Sequence, residues 1–370
     1  MNFLLSEKDQ SRQAEFCQFA EIELDTDDLY PHENLKKAAE KGYMGVPLPV
    51  EYGGMGEDFL TYIILIEEIS RICASTGVIM AVHTSVGTFP LFYFGTEEQK
   101  KRYLPRLAAG EMLGAFALTE AEAGSDAAAL STTAKAVEGG YILNGCKLFI
   151  TSGGEADLYT VFATVDRSLG RKGITAFIVE KGPDGPLPGK PEKKMGLNRS
   201  HTTELRMEDL FVPVSNRLGG VGEGFNIAMA LLDGGRIGIA AQGLGLARAS
   251  IEFAAEKLKE LKNSGINIDQ GKSFILADLA TGLEAARLMV YKAAIAKGAG
   301  MRCSREASMA KLFATDLAVK AAEKAIDLCG LESATVGSPL KRYFCDSKAL
   351  QIYEGTNQIQ RIVVARELLK

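Results

Sequence analysis

Near the end of the chain, Ile352-Tyr353-Glu354-Gly355-Thr356-Asn357-Gln358-Ile359-Gln360-Arg361 sets a carboxylate between an aromatic ring and a glycine, just before an apolar helical pattern. Asn357 followed three residues later by Gln360 has the form of a capping box, which would start a helix and gather free backbone N–H groups. Such a helix start attracts a phosphate or a polarised oxygen. Glu354 beside it would occupy a half-desolvated pocket, where its pKa rises towards the strength of a useful general base. A capped turn without chemistry is the structural alternative.

Three other runs hold residues of chemical interest. Thr119-Glu120-Ala121-Glu122-Ala123-Gly124-Ser125-Asp126 reads alone as a Gly-Ser-Asp turn between strands. Phe149 in Phe149-Ile150-Thr151-Ser152-Gly153 reads alone as a core residue. In Leu232-Asp233-Gly234-Gly235-Arg236 the acid and base share one helix face, a pair worth a few tenths of a kcal/mol if solvated.

The decapeptide around Glu354 closely resembles the active-site signature of the acyl-CoA dehydrogenases, in which that glutamate is the catalytic base. The Thr119–Asp126 run is similar to the family's Thr-Glu-Pro-x-Ala-Gly-Ser-Asp loop, with Ala121 in place of proline. This implies that the backbone at Leu118 and Thr119 faces the flavin pyrimidine and that Ser125 lies where flavin and coenzyme A meet. Phe149 to Gly153 resembles the family's aromatic-Ile-Thr-Asn-Gly strand end, with Ser152 for Asn. There the aromatic covers the flavin and the Thr151 hydroxyl bonds the ring nitrogen that accepts hydride; Ile150 joins this cofactor-binding set, as do Thr356, Asn357 and Gln358. Asp233 and Arg236 are implied to support the coenzyme A arm and the substrate, with Tyr353 and Gly355 beside them. Isovaleryl-type and long-chain members place their base at the position of Gly235, so Glu354 has no rival carboxylate there.

The resemblance implies an FAD-dependent oxidoreductase, closest to the short-chain (butyryl-CoA type) members. It would convert a short or compact acyl-CoA to the trans-2-enoyl-CoA, and electron transfer flavoprotein is the expected partner. Removing a weakly acidic thioester α-proton needs a carboxylate base and hydrogen bonds to the carbonyl oxygen. In the family, the backbone N–H at Glu354 and a flavin ribose hydroxyl supply those bonds.

These residues need elements to position them. At 370 residues the chain is too long for one ordinary core, so two or three packed units are expected. Residues 6–42 and Leu60–Met80 carry helical patterns, the first interrupted by a polar break at Asp25-Thr26-Asp27-Asp28. Glu51 to Gly56 is a tight glycine-rich turn, and Thr96 caps a helix with acids in its first turn. After Gly114 come short runs rich in β-branched and aromatic residues: Phe116–Thr119, Tyr141–Thr151, Leu158–Thr164, Gly173–Glu180 and Leu205–Val214. Long helices then return at about Phe225–Leu261, Gly271–Lys297 and Ser304–Cys329, with a last one after Glu354. The expected fold is α+β multidomain: an N-terminal all-α domain (1–113), a middle β-domain (114–221) and a C-terminal four-helix bundle (222–370).

Composition sets further bounds. A hydrophobic share of 46%, a charged share of 24% and a net charge of −5 describe a soluble globular chain with no call for nucleic acid or a membrane. Cys17, Cys73, Cys146, Cys303, Cys329 and Cys345 are scattered and read as reduced thiols. His32, His83 and His201 lie far apart in sequence, which argues against a histidine metal site or triad. Met1–Glu7 lacks the basic start and apolar core of a signal peptide, and Ile72–Thr96, though free of charged residues, reads as buried helix and loop. The expectation is a cytoplasmic protein.

Two segments depart from the family pattern. Lys259-Glu260-Leu261-Lys262-Asn263 stands where the family carries Arg-x-x-Phe-Gly, and Asp327 to Ser333 stands where it carries Gln-x-x-Gly-Gly-x-Gly. In the family both reach across a dimer interface to hold the ADP half of the neighbouring FAD. Lysine does not replace an arginine fork at a phosphate, and Leu331 and Ser333 would obstruct a backbone approach that glycine permits. The chain is therefore expected to form a homo-tetramer, or a hetero-tetramer with a paralogous subunit. The alternative functions are a mainly structural subunit of such a complex, and an acyl carrier protein dehydrogenase or enoyl-CoA reductase.

Overall fold

A computed structural model describes residues 5–26 and 30–370. Asp27 and Asp28 of the expected polar break lie outside those residues, as do Met1 to Leu4. The N-terminal helices are α1 (Glu7–Glu23), α2 (His32–Glu40), α3 (Phe59–Ile72), α4 (Ala74–Val82), α5 (Phe89–Phe94) and α6 (Glu97–Ala108). The expected Leu60–Met80 helix is thus two helices, because Cys73 takes an extended conformation (φ −137°, ψ 94°) between α3 and α4. Thr96 caps α6 as expected, and Gln99 completes a capping box. The run Ala74–Phe94 is long and apolar enough to cross a membrane, but 83% of that window is buried inside the protein. It forms an internal layer under the neighbouring helices.

The middle of the chain is one twisted sheet. Its strands are β1 (Gly114–Ala117), β2 (Thr133–Val137), β3 (Gly140–Thr151), β4 (Leu158–Thr164), β5 (Ile174–Glu180), β6 (Leu187–Pro188), β7 (Thr202–Pro213) and β8 (Arg217–Leu218). The order is β6-β7-β3-β2-β4-β5-β8, with β1 lying parallel to β4. Strand β2 has few β-branched residues, which hid it in the sequence; antiparallel pairing with β3, Lys135 opposite Ile142, holds it.

The helices that follow are α7 (Gly224–Asn263), α8 (Gln270–Gly298), α9 (Ser304–Cys329), α10 (Pro339–Leu350) and α11 (Asn357–Leu368). Helix α10 joins the four that the sequence suggested; its signal was Pro339 in the first turn. Helix α7 is the central rod. At Gly245 an added Cβ would stand 2.5 Å from the Glu67 carbonyl oxygen, so only glycine lets α3 lie so close to α7. The buried acids of α3 are paired: Glu67 accepts from Arg287 Nη2 (2.9 Å) and Tyr291 Oη (2.8 Å), and Glu68 from Arg248 Nη1 (2.7 Å). Breaking either pair would strand a charge in the interior. The helical, then β, then helical order of the expected α+β fold is the architecture observed.

Candidate active site

Glu354 lies in the turn between α10 and α11 with a left-handed backbone (φ 53°), followed by Gly355 at φ 86°. These two residues turn the side chain back onto α7. An added Cβ on Gly235 would be 2.5 Å from Glu354 Oε2, 2.8 Å from Cδ and 3.1 Å from Oε1. Oε2 is buried without a hydrogen-bond partner among the described residues. Burial pushes the carboxyl up to about 7, against the pull of the Arg236 and Lys311 cations. The backbone N–H of Glu354 also finds no acceptor among the described residues.

Around this carboxylate the side chains are locked. Arg236 is buried on α7; its Nη1 donates to Asp233 Oδ1 at 2.7 Å, while its Nε has no partner among the described residues. Ser304 at the start of α9 donates to the other Asp233 oxygen. This is a buried, braced pair rather than the solvated one considered for the bare sequence. Tyr353 donates to Gln242 Oε1, and Gln242 Nε2 donates to the Ala74 carbonyl at 2.7 Å. The Tyr62 hydroxyl of α3 donates to the Ala81 carbonyl at 3.1 Å, and the Glu354 charge adds to the burial that pushes it up.

The start of α11 departs from the expected capping box. Thr356 is the cap, accepting from Ile359 N at 3.2 Å, while Asn357 is the first helical residue. The Asn357 side chain is buried and turned to α9, where Nδ2 donates to Thr315 Oγ1 (2.9 Å) and Asp316 Oδ1 (2.7 Å). Its backbone N–H donates to the Gln351 carbonyl at 3.0 Å. Gln360 reaches back to the Gly355 carbonyl at 2.8 Å. Few N–H groups remain free; Gln358 keeps one, and its side chain is exposed.

The residues expected to face the cofactor stand on the sheet. Between Lys147 opposite Leu205 and Ile150 opposite Thr203, two residues of β3 face one of β7, a β-bulge. The bulge throws Phe149 outwards at φ 57° and leaves the residue 63% exposed, so it is not core. Ile150 points into the sheet core, and Thr151 is half-buried. Ser152 is left-handed too (φ 59°), and its hydroxyl accepts from Tyr30 Oη at 3.0 Å. Phe149, Ser152 and Glu354 are three of the five non-glycine residues with positive φ among the described residues, so backbone strain gathers at the motifs picked out from sequence. Leu118 and Thr119 offer their carbonyls to Lys147 Nζ (3.1 Å) and Leu148 N (2.8 Å). Ser125 is exposed.

The structure therefore brings Glu354, Tyr353, Gly355, Asp233 and Arg236 together, with Thr356, Asn357 and Gln358 on the next turn. Leu118, Thr119 and Phe149 to Thr151 form a second group on the sheet. One link between them is the Leu197 N–H, which donates to buried Asp346 of α10 at 2.6 Å, eight residues before Glu354.

Two buried lysines escaped the sequence reading. Lys147 donates to Glu120 at 2.7 Å behind the Leu118–Thr119 carbonyls. Lys311 donates to the Gly355 carbonyl at 2.9 Å and to Asn357 Oδ1 at 2.8 Å. Its signal was available: Ala307, Ala310, Ala314 and Ala318 form a small-residue helix face in which Lys311 is the one cation.

Family models fit the chain in three consecutive pieces: the acyl-CoA dehydrogenase N-terminal domain over residues 10–111, its middle domain over 115–210 and its C-terminal domain over 222–369. An acyl-CoA dehydrogenase of Bacillus subtilis is 52% identical over 96% of this chain and 94% of its own length. The butyryl-CoA dehydrogenase of Megasphaera elsdenii superposes with a TM-score of 0.94 at 40% identity, covering 100% of both chains. A chain from a structural study of the electron transferring flavoprotein of Acidaminococcus fermentans and flavin-based electron bifurcation superposes at 0.97, with 46% identity and 100% coverage of both. A glutamate seated on a glycine of the central helix, the strained aromatic strand end and these full-length matches converge: the chain belongs to the acyl-CoA dehydrogenase family.

Proposed function

We propose that this chain oxidises a short-chain acyl-CoA to its trans-2-enoyl-CoA, with Glu354 as the base. The observation that carries the reading is Glu354 Oε2, a buried acceptor without a partner on a carboxyl that burial pushes up to about 7. A weakly acidic α-proton needs such a base in its ionised form near neutral pH. The free Glu354 N–H suits the developing charge on the thioester carbonyl. Arg236, held by Asp233, keeps the ground under the substrate positive, and its unpartnered Nε is a donor still to be used.

The cofactor of the family is FAD, and the residues present fit it. Phe149 offers an exposed ring at a bulge, Thr151 a hydroxyl beside it, and Gln360 a buried Oε1 with no partner. Leu118, Thr119, Ser125, Ile150, Thr356, Asn357 and Gln358 complete the proposed cofactor set, although Asn357 contributes through its backbone and through α9 rather than by its side chain. FAD supplies the acceptor for the electron pair that leaves with the β-hydrogen. This chain's own part is to hold the thioester, take the α-proton on Oε2 and keep water away from it.

Assembly and location belong to the same proposal. Exposed Leu288, Ile295, Phe313 and Ile362 on the bundle call for a covering subunit, as a tetramer would provide. At the helix ends that depart from the family pattern, Lys259 is paired with Glu256 on the surface and Leu331 is 87% exposed, which favours a paralogous partner subunit. Electron transfer flavoprotein is the proposed electron acceptor, and six unpaired cysteines suit the cytoplasm.

The test is the flavin absorbance of the purified chain under anaerobic conditions, before and after a panel of acyl-CoAs. Bleaching by a short acyl-CoA, abolished in Glu354→Gln, is the expected result. A flavoprotein bleached equally well in Glu354→Gln would sink the assignment of the base. Flavin at every site of a purified homo-oligomer would remove the paralogous partner.

A further inference from the structure

Lys311 is 0% exposed, yet no carboxylate among the described residues forms a salt bridge with it. Its two acceptors are the Gly355 carbonyl, one residue past Glu354, and the Asn357 amide oxygen. A buried ammonium held by neutral acceptors is a poor way to stabilise a fold, since its desolvation is repaid only in part. Burial brings it down to about 7, opposed by the charges of Glu354 and Asp316. Asp316, however, is already engaged by Gln351, Asn357 and Arg361. The charge that remains for Lys311 to answer is Glu354.

We infer that Lys311 is a positioning residue for Glu354: from α9 it ties down the turn that carries the base and supplies a buried positive charge that keeps the carboxylate ionised before substrate arrives. The inference rests on the reading of Glu354 as the base. Two kinds of observation support it independently. The tether acts on Gly355 and Asn357, the residues on either side of the Thr356 cap, and so it fixes the pair of left-handed residues that aim Glu354 at Gly235. The electrostatic part follows from what faces the carboxylate. Arg236 comes from α7, Lys311 from α9, the Tyr62 hydroxyl from α3 and the Tyr353 hydroxyl from its own turn. Arg236 is already neutralised in part by Asp233 at 2.7 Å. Lys311 is the cation there with no ion-pair partner among the described residues.

The experiment follows the Glu354 carboxyl directly, by the infrared band of its protonated form, assigned by its loss in Glu354→Gln. In Lys311→Met that carboxyl is expected to titrate about one pH unit higher than in the wild type, and the acid limb of the flavin-bleaching rate should move with it. Lys311→Arg keeps the charge and should hold both close to the wild-type position. A purely structural lysine would lower the rate at every pH and leave the titration in place, which overturns the inference. If Lys311→Met does not fold, the reciprocal measurement decides. The Lys311 resonance of 13C-lysine-labelled protein, assigned by its loss in Lys311→Arg, should titrate lower in Glu354→Gln by the same amount. An unmoved lysine there also overturns the inference. Failure of the function itself looks different: no acyl-CoA bleaches the wild type, whatever the two titrations do.

Discussion

The carboxylate of Glu354 fills the space that a side chain on Gly235 would need, with Oε2 2.5 Å from where a Cβ would be. Two positions far apart in sequence thus address one volume. This gives a physical reason why a base can reach that point from either the α7 position or the α11 turn, but not from both at once. Gly235→Ala should therefore displace the carboxylate rather than the helix. Because a shift of an ångström in a reacting group can cost about 100-fold, the expected loss in bleaching rate is on that order. The melting temperature should fall far less, and a fall in stability with no loss of rate would contradict the placement.

The pH dependence has a definite sign. Glu354 must be ionised to accept a proton, and burial raises its carboxyl to about 7, so activity should climb as pH rises through about 7. Stability runs the other way. The folded state holds this proton more tightly than the unfolded chain, so the proton's stabilising contribution is full below the unfolded value of 4.5 and is lost as pH rises through about 7. Glu354→Gln should consequently be more stable than the wild type above pH 7, by roughly 3 kcal/mol. Thermal melts across pH 5 to 8 would show the two curves diverging with pH; parallel curves would mean that the carboxyl is not raised.

Glu120 provides the opposite case. Burial pushes it up, but Lys147 and the Ser131 and Thr132 hydroxyls hold it at about 2. Its stabilising contribution is complete above 4.5 and is lost as pH falls towards 2. Lys147→Met would leave a buried carboxylate unpaired behind the Leu118 and Thr119 carbonyls. The expected loss is about 3–5 kcal/mol of stability, measured by denaturant unfolding, together with weaker flavin retention. Loss of flavin without loss of stability would give Lys147 a direct cofactor role instead.

Much of this was legible in the sequence, and the parts that were not share physical causes. Long amphipathic or apolar runs gave α7, α8 and α9 nearly to the residue, because helix periodicity is carried by many side chains at once. Strand β2 and helix α10 were missed: one is held by cross-strand pairing rather than by its own composition, and the other begins at a proline inside a polar stretch. The helix cap falls on Thr356 rather than Asn357, and no capping box forms, since two adjacent residues could both cap and only tertiary contacts with Thr315 and Asp316 decide between them. Lys311 was overlooked because its partners are a carbonyl and an amide, neither of which marks itself in a sequence.

Phe149 separates a residue kept for binding from one kept for folding. The residue is 63% exposed and its backbone sits at φ 57°, a conformation that disfavours any side chain with a Cβ. Phe149→Gly relieves that strain but gives the unfolded chain more freedom, and the two effects, each about 1 kcal/mol, oppose one another. Stability without flavin should accordingly change by less than about 1 kcal/mol. An aromatic face against another ring is worth about 0.5–1.5 kcal/mol, so the flavin dissociation constant should rise up to roughly tenfold. Flavin titration of the apoprotein alongside its melting curve separates the two quantities. Unchanged flavin affinity with a clear drop in stability would return Phe149 to the core reading and leave the bulge in β3 without a binding role.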